Sequence, residues 1–254
     1  MSSFLDLSRT TMRRFAVGLS IATLALNGAA CTTTLDVELR LAGAFYFSPD
    51  DIDLSEIIPL PPKTYSEAEL RELNEMENVQ ASRGPGTCAK AQADERIDSQ
   101  YFADALGLVG TRKISSLPKL RNLLIRIHFL EATIVGRAKK GYRRLRPYQV
   151  DSNLRPCISM PTDASYPSGH AAWAYMTANV LSDMVPERRD SLLQDAGSFS
   201  RSRVVGGVHY PSDVEAGKSV GEAIARKLKS SLSFRLEAQA ARQELREALQ
   251  LPIL

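Results

Sequence analysis

Long apolar runs are missing from most of this 254-residue sequence, and histidine and cysteine are scarce, with three residues of each. After Leu26 no stretch reaches the roughly 20 uninterrupted apolar residues that a membrane-spanning helix needs. The sequence also shows no alternating strand pattern, no internal repeat and no low-complexity tract. These absences disfavour a membrane-embedded protein and favour a globular helical one.

The chain carries little net charge. Its formal charge is +3, and Arg9, Arg13, Arg14 and Asp6 contribute +2 of it, which leaves about +1 for the residues after position 30. Nucleic-acid-binding domains carry a concentrated basic patch instead. The sequence therefore predicts no nucleic-acid partner.

The N-terminus has the order of a secretory signal. Arg13 and Arg14 precede the apolar run Phe15–Leu26, and small residues at positions 28–30 follow it. This order is typical of an export signal that is removed from the mature protein. We expect residues 1–30 to be a signal peptide and the protein to be periplasmic or secreted.

The three cysteines leave alternatives open. Cys31 stands where a bacterial lipoprotein carries its lipid-modified cysteine, but Gly28 is not the leucine-like residue usual in such signals. A lipid anchor at Cys31 and ordinary cleavage after Ala30 are therefore equal alternatives. Cys88 and Cys157 form an even pair in a compartment that permits disulfides, so they either form a bridge or remain two buried thiols.

Residues 31–63 are expected to form an extended, proline-rich N-terminal arm, because Ile57–Pro62 holds three prolines and no strand pattern. Residues 64–254 are expected to form one all-α domain, a helical bundle with polar clusters in its loops. Gly84-Pro85-Gly86 predicts a loop over Ser82–Cys88. Helices are predicted at Ser66–Val79, Ala89–Leu106, Leu117–Ala138, Ala171–Met184, Val214–Leu232 and Phe234–Leu249.

The longest predicted helix has one apolar face. Apolar residues recur along it at three- and four-residue spacing, which is the period of an amphipathic helix. They are Leu120, Leu123, Leu124, Ile127, Leu130 and Ile134. His128 lies on this helix and is interpreted as a structural residue.

Three polar clusters interrupt the helical pattern. They are Lys139-x6-Arg146-Pro147, Pro167-Ser168-Gly169-His170 and Ser202-Arg203-x5-His209-x3-Asp213. Together, and in this order, they resemble the three-part signature of the superfamily that contains type 2 phosphatidic acid phosphatases, class A acid phosphatases and vanadium haloperoxidases. Residues 139–148 and 202–213 are similar to the soluble class A branch, the bacterial non-specific acid phosphatases.

The resemblance implies an acid phosphatase that hydrolyses phosphate monoesters through a phosphohistidine. His209 would attack phosphorus, and Asp213 would hold the other ring nitrogen and fix the tautomer. His170 would protonate the leaving oxygen and later accept a proton from water, which implies an acidic working pH.

The remaining signature residues suit an anion. Lys139, Arg146 and Arg203 supply cations for the phosphate oxygens, and a guanidinium can donate two parallel hydrogen bonds to one phosphate. The backbone N–H groups of Ser168 and Gly169 precede a helix and are expected to point into the anion site. Since the site uses two of the three histidines, we expect no metal and no other cofactor.

Related functions remain as alternatives. A vanadate-dependent haloperoxidase uses similar residues on typically longer chains, and a membrane lipid phosphatase carries several apolar spans. A non-catalytic exported lipoprotein that binds phosphate is a third interpretation. The oligomeric state, a homo-oligomer included, stays open.

The chain departs from the class A pattern at one cysteine. That pattern has a cysteine just after its Ser-Arg pair, where this sequence has Val204. Cys157 therefore lacks its usual partner, and Cys88 is the remaining candidate.

Overall fold

The computed structural model describes residues 46–110 and 112–253. The predicted signal peptide, Cys31 and the arm before residue 46 lie outside the described residues. Within them the chain contains helices and no strand, which confirms the predicted all-α fold. The α-helices in chain order are α1 (Glu67–Ser82), α2 (Pro85–Ala93), α3 (Ala103–Leu106), α4 (Pro118–Tyr142), α5 (Pro147–Val150), α6 (Gly169–Met184), α7 (Arg189–Val205), α8 (Pro211–Leu228) and α9 (Leu232–Ala248).

The described part of the N-terminal arm packs on the domain but is not fully extended. It contains two short 3-10 turns, Pro49–Asp51 and Leu54–Glu56, before the proline-rich segment. Ile58 is buried, and the carbonyl of Pro59 accepts a hydrogen bond of 2.6 Å from the Tyr166 hydroxyl. The arm is thereby bonded to the residue that precedes the second polar cluster.

Several predicted helices are confirmed with small shifts at their ends. Ser66 caps α1 by accepting from the backbone N–H of Glu69, as Ser does at a helix N-terminus. The predicted apolar face of α4 is buried along its whole length. This helix ends where Arg143 adopts a left-handed conformation with φ +52°, and its N–H still donates to the carbonyl of Lys139.

Two predicted segments between positions 82 and 106 are wrong. Pro85 begins α2 instead of extending a loop, because proline at the first position of a helix has no N–H to satisfy. The helix predicted over Ala89–Leu106 ends at Ala93, since the carboxylate of Asp94 accepts hydrogen bonds from Lys90 and Ser202. The bond from Ser202 is a tertiary contact and outweighs the helix propensity of the segment, whereas Lys90 lies one turn earlier in α2 itself.

Helix α7 was not predicted. Its buried positions include Ser200, Ser202 and Arg203, so its sequence lacks the apolar periodicity that marks an amphipathic helix. It packs beside α6 and carries the first two residues of the third cluster.

Helix α6 is the centre of the bundle. It is buried on nearly all sides and packs most extensively against α7 and α8. Gly217 and Gly221 allow α8 to approach closely, since a Cβ at these positions would lie 2.3 Å from the Ser168 carbonyl oxygen and 2.2 Å from that of Ala172. This close crossing places the second cluster beside the third.

Cys88 and Cys157 form a disulfide with a Cα–Cα distance of 5.9 Å. The bridge joins α2 to the loop before the second cluster, where the N–H of Cys157 donates to the carbonyl of Gly206. Of the two alternatives that the sequence left open, the structure has the bridge. No helix among the described residues is long and apolar enough to cross a membrane.

Removing this bridge is expected to destabilise the fold. The two cysteines are 69 positions apart, and a cross-link of that loop size restricts the unfolded chain by about 4 kcal/mol. The double variant Cys88→Ser/Cys157→Ser should lose about that much free energy of unfolding in urea titrations. Wild-type protein under reducing conditions is the control. An unchanged free energy of unfolding in both samples would contradict the structural role of the bridge.

Candidate active site

The three polar clusters meet in one cavity of about 230 Å³. It lies between α4, α6, α7 and the loop before α8. Its lining residues include six that the sequence predicted for the site: Lys139, Arg146, Gly169, His170, Arg203 and His209. Residues that are up to 70 positions apart therefore line one small chamber.

His209 lies at the base of the cavity and is 2% exposed. Its Nδ1 is 3.2 Å from the Asp213 carboxylate, and its Nε2 is 3.2 Å from a guanidinium nitrogen of Arg146. Because a carboxylate only accepts hydrogen bonds, Nδ1 donates and Nε2 carries the lone pair. Burial, followed by the charges of Arg146 and Lys139, lowers the pKa of His209 well below its usual value.

Asp213 lies one helical turn after His209. Pro211 starts α8, and this turn brings the carboxylate back under the imidazole ring. The carboxylate also accepts from the backbone N–H of Tyr210 at 3.0 Å and from the Ser165 hydroxyl. Burial raises the pKa of Asp213, and the charge of Arg144 is the largest opposing influence. These bonds fix the orientation of the carboxylate.

Arg144 was not predicted for the site, yet its side chain contacts the carboxylate of Asp213. Its guanidinium donates to Asp213 at 2.7 Å and to Glu72 of α1 at 2.7 Å, and it stacks on the Tyr210 ring at 3.7 Å. Arg144 is only 5% exposed. It thus connects α1 to the residue that orients His209.

Arg203 is buried without sufficient hydrogen-bond acceptors. Its Nε and one Nη find no partner among the described residues, although the side chain is 3% exposed and lines the cavity. Burial, followed by the charge of Arg146, lowers the pKa of Arg203 to about 10. Buried polar groups are almost always satisfied, so these N–H groups indicate a site for an anion.

His170 also lines the cavity and stacks on the Phe199 ring with an interplanar angle of 21°. Its Nε2 is 2.9 Å from the carbonyl oxygen of Glu95, which can only accept, so Nε2 carries a proton. Burial, followed by the charge of Arg203, lowers the pKa of His170 to about 3. Without an anion in the cavity the ring is therefore neutral near neutral pH.

Asp163 was also missed, and it bonds two of the predicted phosphate ligands. Its carboxylate lies 2.8 Å from the ammonium of Lys139 and 2.6 Å from the guanidinium of Arg146. Burial raises the pKa of Asp163, but the hydrogen bond and charge of Lys139, with Arg146, outweigh it, so the pKa lies below its usual value. Lys139 itself has a pKa lowered by burial and by Arg146.

The second cluster differs from expectation in one respect. Ser168 caps α6 through its hydroxyl, but its backbone N–H donates to the carbonyl of Asp213 at 2.9 Å. That N–H is engaged in linking two clusters and does not point at an anion. Gly169 lines the cavity at the start of α6, where the partial positive charge of the helix is largest.

His128 was interpreted as structural, yet it also lines the cavity. Its Nδ1 is 3.2 Å from the carboxylate of Glu131, one turn further along α4. Glu131 is 2% exposed, and burial raises its pKa. His128 and Lys139 are 11 residues apart, about three helical turns, so they lie on one face of α4. This spacing could have indicated from the sequence that His128 lies near the site. In the described ranges no group of three or more His, Cys, Asp or Glu is arranged as a metal site.

Comparison with known proteins identifies this arrangement. Residues 122–235 match the model of the PAP2 superfamily. The matched segment begins in α4 and ends in α9, so it contains all three clusters. The part of the chain that carries the three clusters is therefore similar to the PAP2 superfamily.

The curated relatives that the chain resembles include bacterial acid phosphatases. An acid phosphatase of Zymomonas mobilis is 34% identical over 140 residues, which cover 53% of each protein. A non-specific acid phosphatase of Providencia stuartii is 29% identical over 76% of this chain and 81% of that one. A non-specific acid phosphatase of Salmonella typhi is 39% identical over 43% of this chain and 46% of that protein. The match thus spans about half of the Zymomonas and Salmonella proteins.

Solved structures of haloperoxidases share the fold. An apo-type bacterial vanadium-dependent chloroperoxidase has a TM-score of 0.58 at 15% identity, over 79% of this chain and 55% of that one. A bacterial vanadium-dependent iodoperoxidase has a TM-score of 0.56 at 20% identity, over 71% and 54%. At these identities the similarity is one of fold.

Proposed function

We propose that this protein is an exported acid phosphatase that hydrolyses phosphate monoesters through a phosphohistidine on His209, without a metal ion. The observation that carries the proposal is the set of unsatisfied buried N–H groups of Arg203 in a cavity that also holds a histidine nucleophile candidate. A phosphate monoester supplies the acceptors and the negative charge that this cavity lacks. The acid phosphatase relatives support the same reaction.

Phosphate binding is assigned to the cations and to the start of α6. Lys139, Arg146 and Arg203 would donate to the three non-bridging oxygens, and the N–H of Gly169 would donate at the helix end. A phosphoryl transition state spreads charge over these oxygens, so preorganised donors stabilise it.

The first chemical step is attack by Nε2 of His209 on phosphorus. The N–P bond forms as the P–O bond to the alcohol breaks. Nδ1 keeps its proton, which remains hydrogen-bonded to the carboxylate of Asp213. His170 gives a proton to the departing oxygen, so the alcohol leaves neutral.

The second step is hydrolysis of the phosphohistidine. Water attacks phosphorus and gives a proton to His170, which is now neutral, and the N–P bond breaks to release phosphate and restore His209. His170 must be protonated before the first step, although burial and the charge of Arg203 lower its pKa. A bound phosphate offsets the charges of Arg203 and Arg146 and so favours the protonated ring. Because the ring must still gain this proton, we expect an acidic working pH.

The disulfide supports the proposed location. Cys88 and Cys157 form a disulfide. Disulfides persist in oxidising compartments such as the periplasm and are rare in the cytosol. The lipid anchor at Cys31 remains an alternative to a free secreted form.

Turnover of p-nitrophenyl phosphate tests the proposed function. We expect hydrolysis at acidic pH that survives chelator and is inhibited by vanadate and by inorganic phosphate, because protein cations form the anion site. Loss of activity in chelator, with recovery on adding zinc or magnesium, would contradict the proposal. Bromide oxidation with vanadate and hydrogen peroxide, without phosphatase activity, would favour the haloperoxidase alternative.

Replacing Asp163 by asparagine is expected to tighten phosphate binding. The carboxylate bonds Lys139 and Arg146, so it competes with an incoming phosphate for both cations. Because its pKa is lowered, it stays ionised at pH 5 to 7, and the gain should appear across that range and fade as pH falls through the lowered pKa. We expect an inhibition constant for inorganic phosphate lower by about five- to tenfold, which corresponds to removing roughly 1 kcal/mol of competition.

The control is Asp190→Asn, which removes an exposed carboxylate at the start of α7. Weaker phosphate binding in Asp163→Asn, with an unchanged melting temperature, would mean that Asp163 positions the two cations instead of competing for them.

A further inference from the structure

A second cavity adjoins the phosphate cavity, and none of the proposed chemical steps uses it. It has a volume of about 450 Å³ and shares Ile97 and His128 with the phosphate cavity. We call it the side groove. Its charged lining residues, apart from His128, are Arg96, Asp98, Lys113 and Arg121.

The proposed chemistry directs the leaving group towards the side groove. An in-line displacement places the departing oxygen on the side of phosphorus opposite His209. The acid that protonates this oxygen, His170, is bonded to the backbone of Glu95, two residues before Ile97. Ile97 lines both cavities, so the alcohol portion of a substrate would pass it on leaving the phosphate cavity.

A third cavity also touches the phosphate cavity, but on another side. It is lined by Lys140 and Arg143 and meets the phosphate cavity at Lys139 and Asp163. The ion pair between Lys139 and Asp163 lies at this junction, and His170 is not among the residues that line the third cavity. The third cavity is therefore not on the path of the leaving group.

The side groove has an excess of positive charge. Arg96 lies 3.6 Å from Asp98, so these two charges offset each other. Lys113 and Arg121 are exposed and form no ion pair with any residue that the structure describes. The groove thus retains two uncompensated cations, although the chain after position 30 carries a net charge of only about +1.

One face of α4 connects the groove to the phosphate cavity. Arg121, His128 and Lys139 lie on this face, and Arg121 is about 10 Å before His128 at 1.5 Å per residue. His128 is held between the two cavities by its hydrogen bond to the buried Glu131. The helix therefore presents cations beside both cavities.

We propose that the side groove is a leaving-group subsite that favours phosphate monoesters whose alcohol portion carries a second anionic group. The phosphate to be transferred binds at His209, and the second anion lies towards Lys113 and Arg121. This inference rests on the proposed phosphatase function and adds a substrate class to it.

Matched substrates test the subsite. Glucose 6-phosphate and 6-phosphogluconate share a six-carbon chain, but the second adds a carboxylate at the far end. We expect kcat/KM to be higher for 6-phosphogluconate, and the double variant Lys113→Ala/Arg121→Ala should lower the ratio of the two kcat/KM values about three- to tenfold. This range corresponds to two exposed charge interactions. Raising the salt concentration to 0.5 M should reduce the wild-type ratio in the same direction.

The control variant Lys119→Ala/Lys140→Ala removes two exposed lysines from the same helix outside the groove, and should leave the ratio unchanged. If glucose 6-phosphate is hydrolysed and the groove variant has the wild-type ratio, the subsite is wrong while the phosphatase assignment stands. An equal decrease in both variants would show a non-specific effect of net charge and would also overturn the subsite. If p-nitrophenyl phosphate is hydrolysed but neither sugar phosphate is, both sugar phosphates are used as competitive inhibitors of that hydrolysis. The ratio of their inhibition constants then replaces the ratio of kcat/KM values, with the same expected change in each variant. No hydrolysis of any ester contradicts the proposed function itself.

Discussion

Replacing His209 by alanine is expected to reduce kcat by about 10⁴-fold or more, because the variant has no group that can form the covalent intermediate. The three cations and the start of α6 remain, so inorganic phosphate should still bind. The measurement is kcat for p-nitrophenyl phosphate together with the dissociation constant for phosphate. Near-normal turnover in this variant would make the nucleophile assignment wrong.

Variants of the neighbouring residues separate the roles around His209. Asp213→Asn should retain phosphate binding and lose rate, since the amide can leave the ring in the wrong tautomer. His170→Ala should lose most activity towards substrates with poor leaving groups, because an acid assists most when the departing oxygen is basic. Equal losses for good and poor leaving groups would argue against His170 as the acid.

Replacing Arg203 by methionine is expected to abolish most activity and, in phosphate-free buffer, to stabilise the fold. Wild-type protein buries this guanidinium with two nitrogens that no described residue satisfies, and among the described residues Asp94 and Glu95 attract it at longer range. A buried charge without hydrogen-bond partners is unfavourable, and an apolar side chain of similar length removes that cost. We expect a gain of about 1–2 kcal/mol in the free energy of unfolding.

Saturating phosphate should reverse that order of stability. Phosphate binds the folded wild type through Arg203 and raises its melting temperature, whereas the variant binds phosphate weakly and gains little. Melting temperatures of both proteins with and without phosphate provide the test. If Arg203→Met is less stable in phosphate-free buffer, Arg203 supports the fold and not an anion.

The features that sequence predicted best depend on local patterns. The apolar spacing that predicted α4 is decided within a few residues. The three clusters were also recognisable, because their residue types and order are specific even when their spatial contact is not visible. Local pattern and motif order were sufficient for the all-α fold and for the residues now placed around one cavity.

What the sequence could not show depends on long-range contacts. Arg143 and Arg144 are adjacent and chemically alike, but the left-handed turn at Arg143 leaves it exposed and directs Arg144 into the core. Glu69 and Glu72 suited the first turns of α1, and only the fold shows that both approach Arg144. The competition of Asp163 for two cations likewise has no signature in the sequence.

The most direct test of the central claim is to trap the intermediate. Enzyme mixed with radiolabelled p-nitrophenyl phosphate is quenched within milliseconds in alkaline denaturant, and the labelled peptide is mapped by mass spectrometry. We predict one phosphate on His209 that is stable in alkali and labile in acid, and its absence from the His209→Ala variant. A phosphate mapped to Ser168, or no covalent phosphate in an enzyme that turns over, would contradict this account.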